Sequence, residues 1–263
     1  MSLEPRVFLV TGAAGGIGRR LVERAVEAGH RVLATDLRAP TDLPAGVQAV
    51  ALDVRDPAAW TAALDAAEAA FGPVDVLCNV AGYLKPGWVA ELEAIEVARH
   101  VDVDTKGVMY GTIEAARRMK ARGQGHIINI ASLAALAPIP GLALYSASKY
   151  AVRAFSLAAA HELAPAGVAV TVICPDAVQT PMLDLQVHHE EAALTFSGGR
   201  VLTPDDVCDA VFAAVKKRPR EIHLPRSRAW MARTADLFPG LTGRLDPLLR
   251  RAGQRKQAKR KEK

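Results

Sequence analysis

Cysteine, aromatic residues and long apolar runs are all in short supply, and each shortage narrows the possibilities. The three cysteines, Cys78, Cys174 and Cys208, are odd in number, far apart and without metal-ligand spacing, which argues against a disulfide framework or a cysteine-based metal centre. They read as reduced structural thiols. Aromatic residues are only 5% of a chain that is 50% hydrophobic, so its core must come from Ala, Val and Leu. That composition suits helices packed on a buried parallel sheet. No apolar run reaches the ~18 residues that a bilayer-spanning helix needs, and MSLEPRVFLVTG enters a strand without a basic region, apolar segment and cleavage site. A cytoplasmic protein is expected.

The body of the chain also lacks excess positive charge. Residues 250–263 carry eight Lys and Arg against Glu262, a local +7 within a chain of net +5, which leaves the remainder at about −2. The basic balance therefore belongs to a tail, and no specific nucleic-acid partner is expected.

What is present is an alternation. Short β-branched or apolar runs at 7–11, 31–35, 47–53, 74–79, 126–130, 168–174 and 220–224 are separated by Ala-rich stretches with helical character at 17–28, 57–71, 94–122, 145–163 and 204–217. Strands alternating with helices specify a parallel sheet with right-handed crossovers. The expected fold class is α/β, a doubly wound, mostly parallel Rossmann sheet, in a single domain over 1–228 that includes a substrate loop at 182–202. An amphipathic and basic extension occupies 229–263.

The first strand runs directly into Thr11-Gly12-Ala13-Ala14-Gly15-Gly16-Ile17-Gly18. Glycines there allow a tight turn and close backbone approach, and the following helix N-terminus offers unpaired N–H groups to a pyrophosphate. Asp36 ends the second strand about 20 residues on, where a carboxylate accepts hydrogen bonds from ribose hydroxyls and repels a 2′-phosphate. NAD is therefore expected rather than NADP, with Arg38 as the residue that favours the opposite choice. Asp53 closes the third strand and reads equally as an adenine-recognition residue or a turn carboxylate. Leu37 and Val54, which follow these two carboxylates, are counted with the cofactor site.

Tyr145 and Lys149 are four residues apart on one helix face. A phenol with an ordinary pKa near ~10 is a poor base at neutral pH, and a fixed ammonium beside it favours the phenolate. Ser132, just beyond the fifth strand, can hold a substrate oxygen next to Tyr145.

With these motifs in place, the sequence resembles the short-chain dehydrogenase/reductase family over residues 5–225. TGxxxGxG corresponds to Thr11–Gly18, a strand-end NNAG motif to Asn79-Val80-Ala81-Gly82, and YxxxK to Tyr145–Lys149. The resemblance implies an NAD-dependent oxidoreductase that interconverts an alcohol and its ketone or aldehyde. Tyr145 is then the acid/base, Lys149 its modulator and ribose ligand, and Ser132 the carbonyl polariser. It also implies cofactor contacts from Asn79, Ala81, Gly82, Pro175, Val178 and Thr180, and a homodimer or homotetramer. Two departures stand out. The family's relay asparagine becomes Asp104, which puts a carboxylate near Lys149, and the usual Pro-Gly after the sixth strand becomes Pro175-Asp176.

Loops at 83–88, 133–142 and 182–202 carry Trp88, Leu136, Ile139, Met182, Leu183, Leu185, Leu194 and Phe196, which points to a hydrophobic substrate. His188-His189-Glu190-Glu191 reads as a solvated helix face and no metal is expected. The extension mixes apolar residues with arginines. It reads first as a segment packed on the body or on a second subunit, followed by a disordered tail. Weak peripheral contact with an anionic membrane is the alternative. A non-catalytic NAD-binding redox sensor is the competing function. A methyltransferase would leave Tyr145 and Lys149 without a role.

Overall fold

The computed structural model describes residues 4–261, and within Pro239–Lys261 the side chains of 239 and 241–245 lie outside that description, including Leu241 and Leu245 of the amphipathic segment. Seven parallel strands form one sheet in the order β3-β2-β1-β4-β5-β6-β7. They are β1 Val7–Thr11, β2 Arg31–Asp36, β3 Gln48–Ala51, β4 Val76–Asn79, β5 Gly125–Ile130, β6 Val168–Pro175 and β7 Glu221–Leu224. All seven expected strands form, and β3 is shorter than its apolar run, so Asp53 falls in the loop beyond it.

Strand alternation sorts the side chains into two cores. Phe8 and Val10 of β1 pack with α1 (Gly16–Glu27) and α7 (Pro204–Lys217) on one face. Val7 and Leu9 pack on the other with α2 (Pro57–Phe71), α4 (Gly107–Arg122) and α5 (Ala143–Leu163). Local chemistry starts these helices where the sequence indicates. Asp56 caps α2 ahead of Pro57, and Thr203 and Asp206 close a reciprocal capping box on α7. By contrast, no side chain caps α1, whose N-terminus opens toward the sheet's reversal point between β1 and β4.

The single helix expected over 94–122 is a correction. The segment divides into α3 (Ala94–Arg99), a π-helical turn His100–Lys106 and α4. The π turn carries His100 and Asp104 inward to full burial, and such widened turns recur where a helix places a functional side chain. After β6 come α6 (Pro181–Gln186) and a short 3₁₀ segment, Glu190–Ser197. After β7 come α8 (Arg226–Leu237) and α9 (Pro239–Lys261). The tail expected to be disordered is instead helical through Lys261, and it packs on Glu190–Ser197. Among the described residues no helix is long and apolar enough to cross a membrane.

Candidate active site

A cleft of about 570 Å³ opens at the carboxyl ends of the strands. One end is the β1–α1 turn, with Gly12, Gly15, Gly16, Ile17 and Gly18, flanked by Asp36, Leu37, Asp53 and Val54. Close packing explains the last motif glycine, since a Cβ at Gly18 would overlap the carbonyl oxygen of Gly12. The Thr11 hydroxyl accepts hydrogen bonds from Val80 and Ala81 N–H, each 3.0 Å, which draws Ala81 and Gly82 against the turn. Asp36 accepts from the N–H groups of Leu37 (2.8 Å) and Ala14 (3.0 Å), so its carboxylate is fixed at the mouth beside the glycine turn. Asp53 is held in its own turn by Arg55, 2.6 Å away, which lowers its pKa mainly through that hydrogen bond.

At the other end, Ser132, Tyr145, Lys149, Pro175, Val178 and Thr180 line the same cleft. Lys149 Nζ lies 5.4 Å from the Tyr145 ring centre, 3.4 Å from Asp104 Oδ1, and donates to Ile130 O at 3.4 Å. Asp104 is beneath the cleft rather than on its wall: fully buried, it accepts from Tyr83 N–H (2.8 Å) and Ser148 Oγ (3.3 Å). Burial works against the charge on Lys149, but Asp104 and Tyr145 outweigh it and hold the ammonium above its ordinary pKa. Burial lifts the Tyr145 phenol above 10. Lys149 pulls it down, Asp104 adds to the rise and Ser132 favours the phenolate by hydrogen bonding, with a net upward shift. The phenol is thus in its protonated form at neutral pH.

Asn79 is the one expected cofactor residue whose side chain turns away. In the β4–β5 register it sits beside Asn129, and its amide donates to Asn129 Oδ1 at 2.8 Å inside the sheet layer. Of the apolar residues expected around a substrate, Ile139, Met182, Leu183 and Leu194 line the cleft. Leu136 and Phe196 belong to separate cores, Leu185 faces solvent and Trp88 lies under Arg250.

Four residues that shape the site carry no local sequence signal. Buried Glu96 accepts from Tyr83 Oη at 2.6 Å and pairs with Lys85 and Arg99, anchoring the loop after β4. Arg228 of α8 pairs with Asp176 at 2.7 Å and donates to Ser197 Oγ at 2.9 Å, so the Pro175-Asp176 departure has its counterpart at the last residue before the extension. Burial raises the Asp176 carboxyl and Arg228 opposes that rise. Gly253 and Gln257 of α9 seat the tail on the loop at 186–193.

With this geometry in view, the comparisons decide the family. A short chain dehydrogenase family model matches residues 6–191. The chain belongs to that family. A 3-alpha-(or 20-beta)-hydroxysteroid dehydrogenase from Mycobacterium tuberculosis is 39% identical over 185 residues, covering 68% of this chain and 71% of the relative. An NADP-dependent 3-hydroxy acid dehydrogenase from Salmonella typhi is 35% identical, covering 78% of this chain and 87% of the relative. Among solved structures, a short chain dehydrogenase/reductase from Burkholderia phymatum in complex with NAD superposes with a TM-score of 0.80 at 27% identity, covering 92% of this chain and 96% of that one. This short-chain dehydrogenase is therefore an oxidoreductase of CH–OH groups with a nicotinamide-binding Rossmann fold. The family match ends at 191, before most of the 190–197 segment and all of α8 and α9.

Proposed function

We propose that the chain is an NAD-dependent oxidoreductase that interconverts a hydrophobic alcohol and its ketone or aldehyde. The observation that carries this reading is a single cleft with Asp36 and the glycine turn at one end and Ser132, Tyr145 and Lys149 at the other. The residues fit a dinucleotide. The uncapped α1 N-terminus receives pyrophosphate, Asp36 takes the adenosine ribose, and Lys149 the nicotinamide ribose. Bound there, the nicotinamide supplies or accepts hydride.

The chain's own groups handle the oxygen and the proton. Ser132 and Tyr145 hold the substrate oxygen, Tyr145 Oη gives or takes its proton, and Lys149 with Asp104 sets how readily it does so. Ile139, Met182, Leu183 and Leu194 exclude water from the reacting carbon and favour an apolar substrate. The hydroxysteroid relative supports that preference, and the NADP-dependent relative makes the cofactor choice a matter for measurement. Exposed Ile95, Val97, Val101 and Ile113 on the α3–α4 stretch support a homodimer or homotetramer. Three free, buried cysteines support a cytoplasmic setting.

The test is turnover of a panel of hydrophobic ketones, aldehydes and alcohols with NAD(H) and NADP(H) in parallel. NAD(H) is expected to give the higher kcat/KM, with Asp36→Ala narrowing or reversing the preference. Tyr145→Phe is expected to lower kcat by roughly 10²–10⁴-fold with NADH affinity retained. A wild-type preference for NADP overturns the Asp36 assignment. NADH binding without turnover of any substrate replaces the enzyme with a redox sensor.

A further inference from the structure

The helices after β7 present two faces of opposite character. The inner face of α9 passes through Arg250, Gly253 and Gln257, spaced three and four residues apart. Arg250 lies 4.7 Å over the Trp88 ring, and a Cβ at Gly253 would overlap the Ala193 carbonyl. Buried Gln257 donates to the carbonyl oxygens of Gln186 (2.9 Å) and His189 (2.6 Å). One helix thereby ties the loop after β4 to the loop after β6, two of the segments that border the substrate end of the cleft.

The outer face is apolar and cationic together. Trp230, Met231, Leu237, Phe238 and Leu248 are 71%, 59%, 72%, 61% and 62% exposed. Trp230 and Leu237 are seven residues apart, two helical turns, so they project to one side of α8, with Met231 one position on from Trp230 and Phe238 exposed just past the helix end. Residues 226–261 hold eleven Lys and Arg against Asp236 and Asp246, a net +9 in a chain whose total is +5. Arg226, Arg251, Arg255, Lys259 and Lys261 make no ion pair among the described residues. Leu248, Arg251, Arg255 and Lys259 follow one another at helical spacing, which puts these cations and exposed Leu248 on one face of α9, opposite Gly253 and Gln257.

A second copy of the chain is a poor occupant, because a two-fold contact would set this net +9 against itself. An apolar stripe bordered by unpaired cations matches the boundary of an anionic bilayer, with Trp, Phe and Leu among the acyl chains and Arg and Lys at the headgroups. We propose that the α8–α9 face docks on anionic lipid membranes, and that docking sets the loops tied by α9 beside the bilayer as the source of a hydrophobic substrate. The second clause rests on the oxidoreductase reading above; the docking itself does not.

The experiment is co-sedimentation of the full chain with vesicles of phosphatidylglycerol and phosphatidylcholine, against phosphatidylcholine alone, at low and high salt. Binding to the anionic vesicles is expected, at least tenfold weaker at high salt or on the neutral lipid. The exposed-site variants Trp230→Ser/Phe238→Ser and Arg251→Glu/Arg255→Glu should each weaken it at least tenfold while NADH affinity stays unchanged. Absence of binding to anionic vesicles overturns the proposal, as does binding that both variants retain. A mass by sedimentation equilibrium that falls in the Trp230→Ser/Phe238→Ser variant, with wild type indifferent to vesicles, assigns the face to a subunit contact instead. None of these readouts requires turnover, so failure of docking and failure of the enzymatic reading are separable.

Discussion

Gly18 and Gly253 meet the same steric demand at opposite ends of the chain. Each lies where a helix presses on another segment's carbonyl, Gly12 in the first case and Ala193 in the second, with no room for a Cβ. At Gly18 the two surfaces belong to consecutive elements, so the requirement is written into a spacing of six residues. At Gly253 the opposing carbonyl is 60 residues back, in the short 3₁₀ segment Glu190–Ser197. The tight turn at one end of the cleft is thus set within a few residues, and the helix over the other end is seated by a long-range clasp.

Gly18→Ala should break the local construction and give the largest effect. The added methyl meets rigid backbone, and such overpacking costs about 1–3 kcal/mol, read as a lower urea midpoint. Opening the turn also displaces the N–H groups assigned above to a pyrophosphate, so on that proposal NADH affinity should fall more than tenfold. Unchanged NADH affinity would show that the turn relaxes without harm and that its tightness is not what holds the cofactor.

Gly253→Ala poses the same question to the other end. NADH affinity and global stability should remain close to wild type, because the clasp lies outside both sheet cores. KM for a hydrophobic substrate should rise several-fold, and limited proteolysis should cut sooner between 186 and 200. Equal loss of NADH affinity in the two glycine variants would erase the proposed division between the ends.

Legibility followed the same division. The strands, the glycine turn, Asp36 and the Tyr145–Lys149 pair depend on contacts within a few residues or on strand order, and patterns of that range are visible in a sequence. The π turn at His100–Lys106 was not, since 94–122 has helical composition throughout and the widening serves burial of Asp104 against Lys149, 45 residues away. Asn79 has a similar limit: its strand-end position is legible, but the bond from its amide to Asn129 depends on the β4–β5 register. Asp176 looked like an isolated irregularity until Arg228 supplied its partner.

Asp104 tests the seam between the two ends, and its replacement by Asn should have the smallest but most diagnostic effect. Asn retains an oxygen to accept the Tyr83 N–H, so the loop after β4 should hold and the fold survive. The charge is removed, together with the acceptor for the Ser148 hydroxyl, which keeps its bond to the Tyr145 carbonyl oxygen. The Asp104 carboxylate raises the pKa of Tyr145 and also that of Lys149. Without it the phenol ionises more readily beside Lys149. Alcohol oxidation, which needs Tyr145 to take a proton, should therefore reach its plateau at lower pH, and carbonyl reduction, which needs Tyr145 to give one, should begin to fall at lower pH. Stability carries a second sign. Because Lys149 is held above its unfolded value, its contribution is complete below the ordinary lysine pKa and is lost as pH rises through the folded one. Weakening that elevation should bring alkaline unfolding to lower pH. If the uncompensated ammonium sheds its proton instead, the unfolding shift appears without the kinetic shift, and Asp104 acts by keeping Lys149 charged. Coincidence of both profiles with wild type would remove Asp104 from the proton path and leave it only the task of holding Tyr83.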